Sequence, residues 1–350
     1  MTVDEMLVIL EQDNMIQGES VVGDLVGQTL VGAVFLEVDL RNVSFVGSRF
    51  ERVTFQKCKM SSLDFRQSSF SSITFINCDL TSCDFSGTSL PQLNFVETNL
   101  YGVSFCAATF FRGLFSNCVL DSAIFDKSDI SMTTFAQSSC NQASFEKISW
   151  TSVAMCDVDF SSALWQPTNL VKCVMVNCTF RGHDLHGAQI IECSFNGGVF
   201  ENIDFSKSVI THCQFLSCQL SAVNFFAAKM IGCIFSGAVV WNCNFKNAVL
   251  PSSNFDQARI GGVDFASTLL KQSRFEMAAI ESTKFNDADL WQADFSNAVI
   301  SEVDFSGADL SFASFHAVSG DVELSPIQEA GVSGTDEQRL NIEQRLASSS

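Results

Sequence analysis

From Leu25 to Phe315 every fifth residue is bulky and apolar: 59 consecutive positions hold only Phe, Leu, Ile, Met, Val, Trp or Cys. No insertion or deletion breaks the count, which stops at Ser20 on one side and Gly320 on the other. A second rhythm runs inside the first. Positions ending in 5 are Phe in 25 of 30 cases, whereas those ending in 0 are mostly Leu, Ile or Met, with Phe in 6 of 29. Two residues before each centre the side chain is small, as at Ala288, Ala293, Ala298, Val303, Ala308 and Ala313. One residue before it, Asp or Asn recurs, as at Asp64, Asp84, Asp204, Asn224, Asn244, Asp264 and Asp304.

A helix of 3.6 residues per turn would smear this set around its cylinder. A plain strand would send alternate members to opposite faces. Period five is satisfied by a unit made of one straight side and one corner, with the small residue and the centre pointing inward and the other three residues outward. Four such units close a coil of 20 residues, and coils stack through backbone hydrogen bonds about 4.8 Å apart. The 59 centres then predict about 15 coils and a rod of roughly 70 Å.

The triplets Ala288-Asp289-Leu290, Ala293-Asp294-Phe295 and Ala308-Asp309-Leu310 resemble the motif Ala-(Asp/Asn)-Leu-X-X of the pentapeptide-repeat family. The resemblance covers residues 21–319. It implies an all-β fold, a right-handed quadrilateral β-helix; the spacing alone gives a solenoid without its hand. This chain departs from the motif in its heavy use of Phe and in placing Cys, Val, Ser or Thr where Ala is usual.

The organisation expected is an N-terminal cap over 1–20, the β-helix over 21–320, and a C-terminal linker with a helix over 321–350. Open solenoid ends expose unpaired strand edges and need covering. Thr2-Val3-Asp4-Glu5 reads as a capping box ahead of a short amphipathic helix carrying Met6, Leu7, Ile9 and Leu10. Residues 321–333 read as a linker. Thr335-Asp336-Glu337 then opens a helix running to about Leu346, with Leu340, Ile342 and Leu346 as its apolar residues. In relatives of the quinolone-resistance type a C-terminal helix joins two rods, so the resemblance makes these three residues candidate homodimer contacts, against the alternative of a frayed polar tail.

Composition narrows the interior. There are 34 Phe and 1 Tyr, which describes a core with nowhere to place a hydroxyl. Eleven of the 14 Cys occupy the small inward slot, where a thiol serves as a small hydrophobe. No cysteine pair has zinc-finger spacing. In the stretch 150–190 the Phe column gives way to Met155, Trp165, Met175 and Leu185, with Trp150 on a neighbouring column and His183 in a small slot. His183, Asp184 and His186 are a candidate ligand cluster, but a larger slot residue balanced by a smaller centre explains the substitution better. No nucleotide-binding, metalloprotease or nucleophile–base signature is present. The expectation is a protein that is not an enzyme and needs no cofactor.

The N-terminal stretch lacks Lys and Arg, so it does not read as a secretory signal, and no apolar run approaches the ~20 residues of a bilayer span. A cytoplasmic protein is expected, with export without a cleaved signal, as for a bacterial effector, as the alternative. The formal net charge is −19, which argues against direct nucleic-acid binding and against an anionic membrane surface. The charge is uneven: residues 1–40 hold 8 acids and no base, 41–284 hold 19 acids and 18 bases, and 285–350 hold 12 acids and 2 bases.

Some pentapeptide-repeat proteins imitate B-DNA before type II topoisomerases. The solenoid carries 28 acids and 18 bases, far below the one charge per ~1.7 Å of DNA. Only the end at Asp287, Asp289, Asp294, Glu302, Asp304 and Asp309 approaches that density, and acidic ends also serve simply to prevent edge-to-edge association. A second candidate surface is the outward apolar set Val171, Val174, Ile191, Ile231 and Ile234, which share a side when indexed by 20. The function expected is a non-catalytic scaffold binding another protein, with a DNA-mimicking regulator of DNA gyrase or a related topoisomerase as one alternative and a secreted bacterial effector as another.

Overall fold

A computed structural model describes residues 1–167 and 169–347. The chain divides into two compact units, Met1–Thr179 and Phe180–Ser350. Both are built the same way, and the chain as a whole winds about 15 turns of all-parallel β-solenoid.

In the first unit nine parallel strands, from Met15–Gln17 to Val174–Val176, stack into one sheet. The register repeats by 20, with Phe35 beside Phe55, Phe55 beside Phe75 and Phe75 beside Phe95. In the second unit seven parallel strands, from Val199–Glu201 to Ser319–Gly320, repeat it, with Val240 beside Ile260 and Ile260 beside Ile280. Each strand is three residues long or shorter at these positions, because only the residue before the centre, the centre and the residue after it are extended.

The corner follows at once. At most corners the residue two places after a centre is left-handed, with φ from 47° at Ser282 to 63° at Ser62 among the non-glycine ones. At many corners the amide three places on donates to the carbonyl of the centre, as from Ala108 to Phe105 at 3.0 Å and from Ala248 to Phe245 at 2.9 Å. This is a type II turn, whose third residue requires positive φ. A left-handed corner costs an L-residue roughly 1–2 kcal/mol. The coil-to-coil bonds and the buried centre at every side offset it.

The Phe centres fill the interior. In the second unit Phe225, Phe245 and Phe265 stack at 4.6 and 4.8 Å with planes 20° and 21° apart. Phe235 and Phe255 form a facing stack at 4.7 Å, and the two stacks meet edge to face at 5.8–6.5 Å. Offset stacking within columns and edge contacts between them are the favoured arrangements of aromatic quadrupoles. In the first unit Trp165 follows Phe145 in the Phe column, Trp150 sits between Ile130 and Leu170, and both are fully buried.

The helix α1 (Val3–Asp13) closes the N-terminal end. Thr2 caps it, with the reciprocal Glu5 bond of a capping box, and Val3, Met6 and Leu10 are buried. The strand stack reaches further toward the N-terminus than the unbroken count of five suggests. Ile16 lies beside Phe35, an offset of 19, and Val21 is buried where the count falls on exposed Ser20. Residues 321–333, which read as a linker, contain a second helix, α2 (Pro326–Gly331), capped by Ser325. Helix α3 (Glu337–Ala347) follows. Among the described residues no helix is long and apolar enough to cross a membrane.

Candidate functional site

Each outward position has a local use, and that decides what is left for a partner. The recurrent Asp or Asn before a centre folds its side chain onto the backbone two residues ahead. Asp204 accepts from the Ser206 amide at 2.9 Å, Asn224 from Phe226 at 3.1 Å, Asp264 from Ala266 at 2.9 Å and Asp304 from Ser306 at 2.9 Å. This Asx-type bond satisfies a corner amide that the coil ladder leaves over. The small inward slot also carries polar work. Cys213 and Cys233 donate to the carbonyls of Ile190 and Ile210, 23 residues earlier, at 3.4 and 3.2 Å, while Ser208 and Thr268 donate to Leu185 and Phe245 at 2.9 and 2.8 Å. The thiols are therefore weak donors as well as fillers. Burial pushes Cys83, Cys140, Cys178, Cys218, Cys233 and Cys243 up to about 12.

The six acidic candidates do not share a face. Asp304 precedes Phe305, Asp289 and Asp309 precede Leu290 and Leu310, and Asp294 precedes Phe295, so successive members turn from side to side. Asp287 and Glu302 sit at left-handed corners, with φ 56° and 53°. Asp289, Asp294, Asp304 and Asp309 each accept the amide two residues on, from Trp291, Ser296, Ser306 and Ser311 at 2.9–3.3 Å. The Ser306 and Ser311 bonds hold Asp304 and Asp309 below the usual carboxylate range. Bases stand one coil beneath them: Lys284 pairs in register with Asp304, Arg274 with Asp294, and the Lys271 Nζ lies 3.2 Å from Asp289. The acidic end is a ring with counter-charges under it.

The apolar candidates are placed unit by unit. In the first, Val171 is half-buried and Val174 is 45% exposed. In the second, Ile191 and Ile234 are half-buried and Ile231 is exposed, with Thr211 paired beside Ile191. Hydrophilic residues interrupt the set. The candidate ligands at 183–186 are used locally: Asp184 accepts the His186 amide at 2.9 Å, and His186 Nδ1 lies 2.9 Å from the Ser206 hydroxyl, while His183 is buried. Among the described residues no group of three His, Cys, Asp or Glu could hold a metal ion.

The C-terminal segment lies against the last coil. Gln328 of α2 donates its amide to the carbonyls of Phe305 and Ala308 at 2.8 and 3.0 Å, and the Ser333 amide donates to Ala313 at 2.9 Å. Buried His316 accepts the Asp336 amide at Nδ1, 3.0 Å, and its Nε2 lies 3.2 Å from Glu343 of α3. Arg339 pairs with Glu343 at 2.7 Å and reaches Glu276 at 3.7 Å. On α3, Leu340 is half-buried, whereas Ile342 and Leu346 are exposed.

One surface feature escaped the reading by sequence. The Trp241 indole lies over Gly261, in the space a Cβ at that residue would need. Beside it opens a shallow groove of about 230 Å³ lined by Arg259, Ala279, Glu281 and Val299. The pairing of a tryptophan with a glycine 20 residues later was the only signal available.

A closed coil filled by side chains, with short strands, left-handed corners and outward polar positions, defines a repeat scaffold. The sequence matches the pentapeptide repeat region over residues 28–95, 48–112, 208–282 and 232–315, together more than half of the chain. It belongs to the pentapeptide-repeat family. No curated protein matches the sequence. Among solved structures it is similar to HetL, a pentapeptide repeat protein involved in heterocyst differentiation regulation in the cyanobacterium Nostoc sp. strain PCC 7120, at 13% identity over 64% of this chain and 88% of that one, TM-score 0.33. It is similar to trypsin-treated QnrB1, a plasmid-mediated fluoroquinolone resistance protein, at 18% identity over 62% and 91%, TM-score 0.30. Rfr23 from the cyanobacterium Cyanothece 51142 is similar at 13% over 42% and 91%, TM-score 0.25. Overlays at these scores bear on neither partner nor site.

Proposed function

We propose that this chain is a non-catalytic scaffold that binds another protein through its side surfaces. One observation carries the reading: the inward positions are spent on packing and on hydrogen bonds between coils, so the chemistry left for recognition is outward. A filled interior offers no concave pocket of the kind most active sites use. The test is affinity capture with four variants, each changing exposed residues on one side of the solenoid. A scaffold loses a given captured protein in one variant and keeps it in the others. Capture that is identical across all four removes the reading.

The alternative, a regulator of DNA gyrase or a related topoisomerase, calls for a continuous anionic track. Lys271, Arg274 and Lys284 beneath the acidic ring favour it less. A supercoiling assay with added protein separates the two. An effect abolished by neutralising Asp287, Asp294 and Asp304 would replace the side-face reading. The exposed Ile342 and Leu346 of α3 make the C-terminal end a candidate homodimer contact. A sedimentation mass that does not change between Ile342→Asp and the parent chain would dismiss it.

A further inference from the structure

On one side of the second unit the outward residues are unusually apolar. Val239 is 38% exposed, Trp241 42% and Val299 54%. Trp241 lies across Gly261, and the groove beyond it is floored by small residues and backbone. Two charges flank that groove, Arg259 and Glu281. Neither makes an ion pair among the described residues, although Arg181 and Arg274 of the same unit each pair with a carboxylate. An apolar groove between an unpaired cation and an unpaired anion asks for a complement that carries both signs.

We propose that this face binds a short extended segment of a partner protein, in which an acidic, a bulky apolar and a basic residue alternate along the chain. The inference rests on the scaffold reading and names its binding surface. Area sets the size of the occupant. The strands of Trp241, Gly261, Glu281 and Ser301 span about 14 Å at strand spacing. With a width of one short strand the patch covers on the order of 200 Å², far below the roughly 800 Å² per partner of a standard interface. A second copy or a globular face would be held too weakly, whereas four or five extended residues at about 3.3 Å each fit the length.

The mode of binding follows from the backbone. The Arg259 amide donates to Ala238 at 2.9 Å and the Gly262 amide to Glu281 at 3.1 Å. With such amides committed between coils, strand addition at this face is closed, and side chains carry the recognition. Alternation puts the three recognised side chains on one face of the segment. The apolar one enters the groove against Trp241, and the charged ones meet Arg259 and Glu281.

The probe is a seven-residue peptide, blocked at both ends, with Asp, Leu and Lys at its second, fourth and sixth positions and Gly elsewhere. It is titrated into the full chain by calorimetry. Saturable binding is expected below about 1 mM, weakened at least 10-fold when the leucine becomes serine. Gly261→Ala puts a Cβ where the ring lies, at a residue whose backbone is not left-handed. It should weaken binding at least 10-fold with an unchanged melting curve. Ala279→Glu, at an exposed position, fills the groove independently should the first variant fold poorly. Arg259→Glu should reverse the preference, so that a probe with lysine at both charged positions binds the variant at least 10-fold better than the parent. No saturation at 1 mM, or binding indifferent to both Gly261→Ala and Arg259→Glu, overturns the proposal. Loss of a captured partner on another side, with no probe binding here, removes the groove and leaves the scaffold standing. Capture unchanged by all four side variants, with the probe bound as expected, removes the scaffold reading instead.

Discussion

Replacing Phe245 by Tyr adds one oxygen to a ring with no exposed surface. Phe225 and Phe265 stack on its two faces at 4.6 and 4.8 Å, and the edges of Phe235 and Phe255 stand 6.1 and 6.3 Å away. The new hydroxyl points toward the axis of the coil, where these rings offer no acceptor. An unsatisfied buried hydroxyl costs about 1–3 kcal/mol, and forcing an extra atom into a close-packed core costs about 1–3 more. The sum expected is about 2–6 kcal/mol. Phe245→Leu is the control. It keeps the interior apolar and forfeits two stacked contacts of about 0.5–1.5 kcal/mol each. Urea unfolding followed by circular dichroism reads both, with tryptophan fluorescence as a second probe to check that one transition is being measured. A Tyr variant with an unchanged midpoint would refute the reasoning, since it would mean that the ring reaches water or an acceptor.

The bond from the Ser306 amide makes Asp304→Ala cost about 0.5–1.5 kcal/mol in thermal melts, while Asp304→Asn, which keeps an acceptor, stays near neutral. The same bonds hold Asp304 and Asp309 ionised to lower pH than in the unfolded chain. Their contribution is therefore present above the ordinary carboxylate range and is lost as pH falls through the depressed folded values; melts at pH 7 and pH 3 should show parent and Asp304→Ala converging in acid. Gln328→Ala removes two bonds to the last coil and should speed hydrogen exchange around residues 305–308 without touching the first unit; equal protection would show that α2 does not cover the end. In the folded protein a maleimide should label exposed Cys156 and half-buried Cys106 first, while the thiols that burial pushes up react only after denaturation; rapid labelling of Cys218 or Cys233 would contradict their placement.

The interior was legible because nothing breaks the count of five between Leu25 and Phe315, so each Phe keeps its column through every turn. The first coil was not, because its centres Ile16 and Val21 are followed by a step of four to Leu25, and a strict count ends where the step changes. The acids before the centres were visible as a motif. Their bond to the amide two residues on needs the corner geometry, which no side-chain pattern reports. Linear windows along the chain distort the charge map. Neighbours in a solenoid lie 20 residues apart, so a boundary drawn at 284 separated Asp304 from the Lys284 beneath it. By position alone the thiols read as fillers; their donation to carbonyls 23 residues back appears only once coils stack. The Trp241 groove depends on which residue occupies the next coil, here Gly261, and a linear pattern does not bring the two together.

The most direct test of a coil that advances once every 20 residues is a ladder of distances between spin labels on exposed corners of one column. Labels at Asn202 paired with Asn242, Ser282 and Glu302, after Cys106 and Cys156 are replaced, sit two, four and five coils apart. Backbone separations should rise as about 10, 19 and 24 Å, an even step per 20 residues once label length is subtracted. Distances that do not grow in proportion to the number of coils would contradict the stacking on which the buried Phe columns, the charge pairs and the Trp241 groove all depend.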